Sequence, residues 1–239
     1  MAKLEISKVH DAYAEEGECP LCDLREAAEA NYIHSFTHSR VMEPNVRVQT
    51  NRRGFCPAHL ALLYAADNKL GLGLVLHTHL QEILPRISAA LETARSAAEG
   101  RRERERADAA ARELAALRDT CFICDLLDLD MERYRSTILY LWQKDPDFLP
   151  IIGASRGFCL PHYLELLGTA ERSLDTKRLS AWLGLTVPLM ERSFATLEHD
   201  LLDFTQLHHD ANRSMGSDDV RTALGRTIQK LAGARFRPS

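Results

Sequence analysis

Apolar and polar positions along this 239-residue chain follow the period of helices. After the CysXaaXaaCys clip at Cys19 the residues are rich in Ala, Glu, Leu and Arg, with no Gly or Pro before Pro44. The stretch after Cys121 behaves alike as far as Pro146, so each predicts a helix of about 20 residues that begins near its clip. Glu43-Pro44 and Asp145-Pro146 then mark a turn or a new helix start, because proline is tolerated in a helix's first turn. Gly54 and Gly157 break the chain again, and each PheCysXaaXaaHis that follows leads into a leucine-rich helix. Leu70 to Ala98 and Ser180 to Thr205 are apolar-periodic and predict packing partners for those helices. The expected fold is all-α, built from two homologous helical repeats joined by a charged helical linker, each repeat with a Cys3His metal site.

The chemistry lies in a duplication. All six cysteines fall into two copies of one pattern: Cys19, Cys22, Cys56 and His59, then Cys121, Cys124, Cys159 and His162. The offset is 102 for the CxxC pair and 103 for the CxxH pair. Arg53-Gly54-Phe55 precedes the first CxxH as Arg156-Gly157-Phe158 precedes the second, and Asp23 matches Asp125. Three thiols and an imidazole in two short clips are the ligand set of a tetrahedral Zn²⁺ centre, so two zinc ions per chain are expected. On a helix, residues three apart share a face, which lets the two members of a clip point at one ion.

Which clips pair is left open. Thirteen residues from Glu43 to Phe55 reach about 43 Å when extended, enough to return along a helix of about 30 Å and close a site within one repeat. Spacing equally allows the CxxC of one half to meet the CxxH of the other.

Three thiolates and a neutral imidazole around Zn²⁺ leave one net negative charge, and Arg53 and Arg156 are placed to balance it. Asp23 and Asp125 are candidates to orient an imidazole or pair with the arginines; helix-start acidity explains them equally well. Phe55 and Phe158 read as core residues. His34 and His38 have Ser136 and Tyr140 at the equivalent positions, so the duplication does not support them as ligands. His77, His79, His208 and His209 read as ordinary structural or surface residues.

CysProLeuCys and its second copy CysPheIleCys, each followed by a spacer with an acidic-Pro step and by ArgGlyPheCysXaaXaaHis, resemble a group of bacterial proteins with paired CPxC and RGFCxxH motifs, a domain of unknown function. The resemblance covers Glu18 to Leu167, and the second copy departs from it with Phe122 where the first has Pro20. It implies a bacterial, cytosolic, helical protein with the eight Cys and His positions as its hallmark.

Composition narrows the function. A formal charge of −4 and a pI near 6.2 argue against a nucleic-acid binder, which carries a strongly basic face. The amino-terminal MAKLEISKVHDAYAEEGE is charged, and no run approaches the roughly 18 apolar residues of a membrane span, so a cytoplasmic location is expected. In that compartment clustered cysteines are more often metal ligands or redox catalysts than disulfides.

The chain divides into a first repeat at 1–98, a charged linker at 99–118, a second repeat at 119–210, and a hinge with a basic helix at 211–239. In that last helix Val220, Leu224, Ile228 and Leu231 recur at helical spacing among Arg221, Arg226, Lys230, Arg235 and Arg237. It is expected to dock on its own domain, with contact to an anionic membrane surface or a partner as the alternative. The leading reading is a non-enzymatic zinc protein that binds a protein partner or regulates. The alternatives are a thiol-disulfide redox protein, or an iron-sulfur or catalytic metal protein using the same clusters.

Overall fold

The computed structural model describes residues 5–15, 17–38, 40–97, 103–209 and 216–233. Among them are eleven α-helices, one short 3-10 turn and no strand. In order these are α1 (Ile6–Ala14), α2 (Pro20–His38), the 3-10 turn (Arg40–Met42), α3 (Pro44–Arg53), α4 (Pro57–Ala65), α5 (Lys69–Ala97) and α6 (Glu103–Arg118). They continue as α7 (Phe122–Lys144), α8 (Phe148–Ala154), α9 (Leu160–Ser173), α10 (Thr176–His209) and α11 (Asp218–Ala232).

The elements recur in one order. From each CxxC a long helix, a short helix, the CxxH helix, a very long helix and a closing helix follow, as α2 to α6 and then as α7 to α11. Both very long helices hold an internal proline, Pro85 in α5 and Pro188 in α10, separated by the same 103 positions as the two CxxH clips. Each removes one helical hydrogen bond at the same place. The charged segment expected as a linker is thus the fifth helix of its series. Ala110 of α6 is buried, and Glu113 pairs with Arg86 of α5 at 2.6 Å.

Two compact units form, and they do not follow the sequence halves. One, the central unit, is Ala28–Leu129; the other, the terminal unit, takes the chain up to Ala27 and from Asp130 onward. Both boundaries fall inside helices, α2 and α7, whose first two turns belong to one unit and whose remainder belongs to the other. The terminal unit packs Val9, Leu21, Ile138, Phe148, Ile152, Phe158, Leu166 and Trp182 into one core, all fully buried or nearly so. The central unit packs Phe36, Val46, Phe55, Leu63, Val75, Ile123 and Leu127. Each such side chain contributes about 1.5–3 kcal/mol relative to exposure, so both units have cores that do not depend on metal alone.

Helix α11 docks within the terminal unit on α9 and α10. Its buried positions are Val220, Ala223, Gln229 and Lys230, whereas Leu224 and Leu231 stay about half exposed. The docked ridge therefore runs beside the leucine row that the sequence suggested. Arg235 and Arg237, positions 213–215 of the hinge, positions 98–102 and the side chains of His208 and His209 lie outside the described residues.

Candidate metal centres

Four helices begin in the same way. Cys19, Cys56, Cys121 and Cys159 each stand just before the first residue of a helix, and their carbonyls accept the helix-opening bonds from Asp23, Leu60, Asp125 and Tyr163 at 2.9–3.3 Å. The second member of each clip, Cys22, His59, Cys124 or His162, is the third helical residue and so returns to the same side. Two clips are also opened by glycine: Gly54 has φ +58° and Gly157 φ +74°, a region that L side chains rarely adopt. These turns carry Phe55 and Phe158 into the cores, both buried, and aim the following cysteine at its cluster.

The eight side chains gather into two clusters. Cys19, Cys22, Cys159 and His162 form the first, in the terminal unit, and all four are buried. Cys56, His59, Cys121 and Cys124 form the second, in the central unit, with Cys56 and Cys124 partly exposed. In the first, His162 Nδ1 lies 3.6, 3.4 and 3.2 Å from the sulfurs of Cys19, Cys22 and Cys159, and Cys22 Sγ is 3.6 Å from Cys159 Sγ. In the second, His59 Nδ1 lies 3.2, 3.2 and 3.4 Å from the sulfurs of Cys56, Cys121 and Cys124, and Cys56 and Cys124 are 3.9 Å apart.

These lengths test the fit to a metal ion. A tetrahedron with Zn–S of about 2.3 Å and Zn–N of about 2.05 Å has edges of about 3.8 Å between sulfurs and about 3.6 Å between sulfur and nitrogen. The clusters sit close to those edges. A disulfide would need its sulfurs about 2.05 Å apart, and all six cysteines are free. The geometry can hold a metal ion at each site.

The pairing that spacing left open is resolved as the crossed one. Each CxxC meets the CxxH of the other half, 137–143 positions away in the first cluster and 62–68 in the second. The cause is the split of α2 and α7. Leu21 and Leu24 pack into the terminal core and Ile123 and Leu127 into the central one, so each clip is carried to the unit that holds the other half's histidine.

A family model for a family of unknown function (DUF6062) matches residues 1–237. The chain belongs to this family. No curated protein and no solved structure matches it. The DUF6062 description carries no activity, so the chemistry of this member rests on its own side chains. Among the described residues of this DUF6062 chain, no helix is long and apolar enough to cross a membrane.

Electrostatics show why three thiols in one site call for a cation. In the first cluster, hydrogen bonds from Cys19 and Cys22 hold the Cys159 thiol down to about 4 despite burial, helped by the His162 backbone N–H and the charge of Lys230. Cys22 is pushed well up by its bonds to Cys159 and Cys19 and by burial. In the second, burial opposes ionisation of Cys121, but bonds from His59 and the backbone N–H groups of Cys124 and Cys56 bring it down to about 6. Burial, then the neighbouring Cys121 and Cys56, push Cys124 up to about 12. One thiolate suppresses the next. A divalent ion would remove that conflict by favouring every thiolate at once.

The surrounding residues differ between the two sites of the DUF6062 chain. Arg53 makes a two-pronged bond to Asp125, both contacts 2.6 Å, directly beside the second cluster. Arg156 instead reaches Glu18 at 3.0 Å and Asp219 at 2.8 Å. Asp23 is buried in the first turn of α2, against Gly17.

The sequence reading missed two contacts. Glu29 Oε1 lies 3.0 Å from His59 Nε2, and Lys230 of α11 stands beside the first cluster. Glu29 is not repeated in the other half, where the position 102 after it is Met131. The remaining histidines gather into no further site among the described residues. His34 and His38 stack on one another, and His79 Nδ1 bonds the carbonyl of Asn51 at 2.7 Å.

Proposed function

We propose that the protein is a non-enzymatic zinc protein whose two Cys3His centres hold its helical scaffold in shape for binding a protein partner in the cytoplasm. The observation that carries this is the agreement of both clusters with the edge lengths of a four-ligand tetrahedral zinc site, because four protein ligands leave no position open for a substrate. Cys19, Cys22, Cys159 and His162 would hold one ion, and Cys56, His59, Cys121 and Cys124 the other. Zinc in such a site contributes its binding free energy to folding. The crossed pairing gives that contribution a purpose, since each ion would join helix starts that are distant in sequence.

The partner-binding part is supported by the outer face of α5. Leu70 with Leu74, and Leu80 with Leu84 and Leu91, recur there at helical spacing and are each 41–77% exposed. Exposed apolar side chains that join into one patch mark protein interaction sites.

Elemental analysis of protein purified without added metal tests the reading. Two zinc ions per chain, with loss of helix or a lower melting temperature after chelation, is the expected result. Brown protein with iron and acid-labile sulfide, or metal-free protein of unchanged stability, would overturn it.

A further inference from the structure

Lys230 has no exposed surface, although lysine is among the residues least often buried. Its ammonium donates to the main-chain carbonyl of Glu18 at 3.0 Å and to that of Arg156. Glu18 immediately precedes Cys19, and Arg156 stands three residues before Cys159. One ammonium thus ties together the two segments that enter the first cluster. The end of the same helix closes against the sulfurs: Cys22 Sγ lies 3.6 Å from the Gly233 carbonyl, and a side-chain carbon at Gly233 would stand 3.5 Å from Cys159 Sγ.

Lys230 stands at the inner end of a charge network. The Glu18 carboxylate accepts from Arg226 at 2.5 Å and Arg156 at 3.0 Å, with Lys230 farther off at 3.5 Å. Asp200 and Asp219 meet the same two arginines, and Asp219 is half exposed. These six groups cancel in formal charge; Asp219 lies at the solvent end, the Glu18 carboxylate is buried and taken up most closely by the two arginines, and Lys230 lies deepest, near enough to Cys19 and Cys159 to feel their charge.

The second cluster supplies the comparison. There the carbonyl of Arg53, the counterpart of Arg156, is held at 2.6 Å by the hydroxyl of Thr120, the residue before Cys121. A neutral hydroxyl serves where two ligands are partly exposed and water can screen charge. An ammonium serves where all four are buried. Three thiolates, a neutral imidazole and a divalent ion carry one net negative charge, which is costly in a buried site without a nearby cation.

We propose that Lys230 is the outer cation of the first metal centre, making α11 part of that centre, so that metal occupancy there and docking of α11 are one equilibrium. This rests on the metal-binding reading above. The test counts metal and follows amide exchange over 218–233 in the full chain. Wild type should hold two ions and Lys230→Met one, the survivor being lost only when Cys56→Ser is added. His162→Ala should speed exchange of α11 tenfold or more, while Cys121→Ser leaves it unchanged. With cobalt in place of zinc at saturating metal, Lys230→Met should move the thiolate-to-metal absorption of the first centre to longer wavelength, since the sulfur electrons lose a stabilising charge; loss of packing alone would not. Two ions bound at wild-type affinity in Lys230→Met, or α11 exchange indifferent to His162→Ala, would overturn the inference and leave the metal reading standing. Wild-type protein that takes up no metal would sink both.

Discussion

Glu29 and His59 form a relay at the second cluster: the carboxylate lies 3.0 Å from Nε2 while Nδ1 of the same ring faces three sulfurs at 3.2–3.4 Å. A carboxylate on the far nitrogen fixes the tautomer and ring orientation that a metal ligand requires, and removing such a partner costs about 10- to 100-fold in metal affinity. Glu29→Ala should therefore weaken zinc at the second cluster by that factor and leave the first untouched. Competition with a chromophoric chelator reads both affinities, and an equal loss at both sites would contradict the assignment.

Metal uptake should release protons at both clusters. Burial disfavours the charged form of His59, but its bond to Cys121 and the charge at Cys121 and Cys56 outweigh that and raise it to about 9. With Cys124 up at about 12, both groups carry a proton near pH 7 in metal-free protein, and both must lose it to bind. Affinity there should fall roughly a hundredfold for each pH unit below 8, one factor of ten per proton displaced. At the first cluster Cys22 is held protonated in the same way, so at least about tenfold per unit is expected. Chelator competition between pH 6.5 and 8, in variants that keep one site each, measures both slopes. A flat profile would show that the ligands are already deprotonated.

The ligands were legible because chemistry and duplication agreed on them: Cys19, Cys22, Cys56 and His59 recur at nearly one offset, and helix periodicity located the elements that carry them. Their pairing was not legible. Both closures satisfy the chain's reach, and what decides between them is the packing of two helix starts, Leu21 with Leu24 and Ile123 with Leu127, into separate cores. Glu29 and Lys230 left no signal because one acid or lysine among many on helices looks like solvated surface, and Glu29 is not duplicated. The same masking applied to α6, where the run of Arg and Glu concealed the packing of Ala110.

The difference in exposure should separate the two clusters kinetically. Cys56 and Cys124 are partly open to solvent, whereas each ligand of the first cluster is buried and α11 closes over its sulfurs. A chelator or an alkylating reagent should reach the second cluster first. Stopped-flow release with excess chelator should show two phases, the fast one absent from Cys121→Ser, and mass spectrometry after brief alkylation should find label at Cys56 and Cys124 before the other four. Simultaneous release would mean that both sites open through one common unfolding event.

Loss of the first centre should cost more stability than loss of the second. The crossed contacts span 137–143 positions in the first cluster and 62–68 in the second. Each doubling of a closed loop adds about 0.6 kcal/mol to the entropy that a cross-link removes from the unfolded chain. Cys159→Ser should thus destabilise by about 0.6 kcal/mol more than Cys56→Ser through closure alone. Burial acts in the same direction, because Cys159 is fully buried and Cys56 is not. Urea denaturation of the two metal-loaded variants gives the comparison. Should Cys56→Ser prove the more damaging, the ion at the second cluster would be holding together more of the fold than its shorter loop implies.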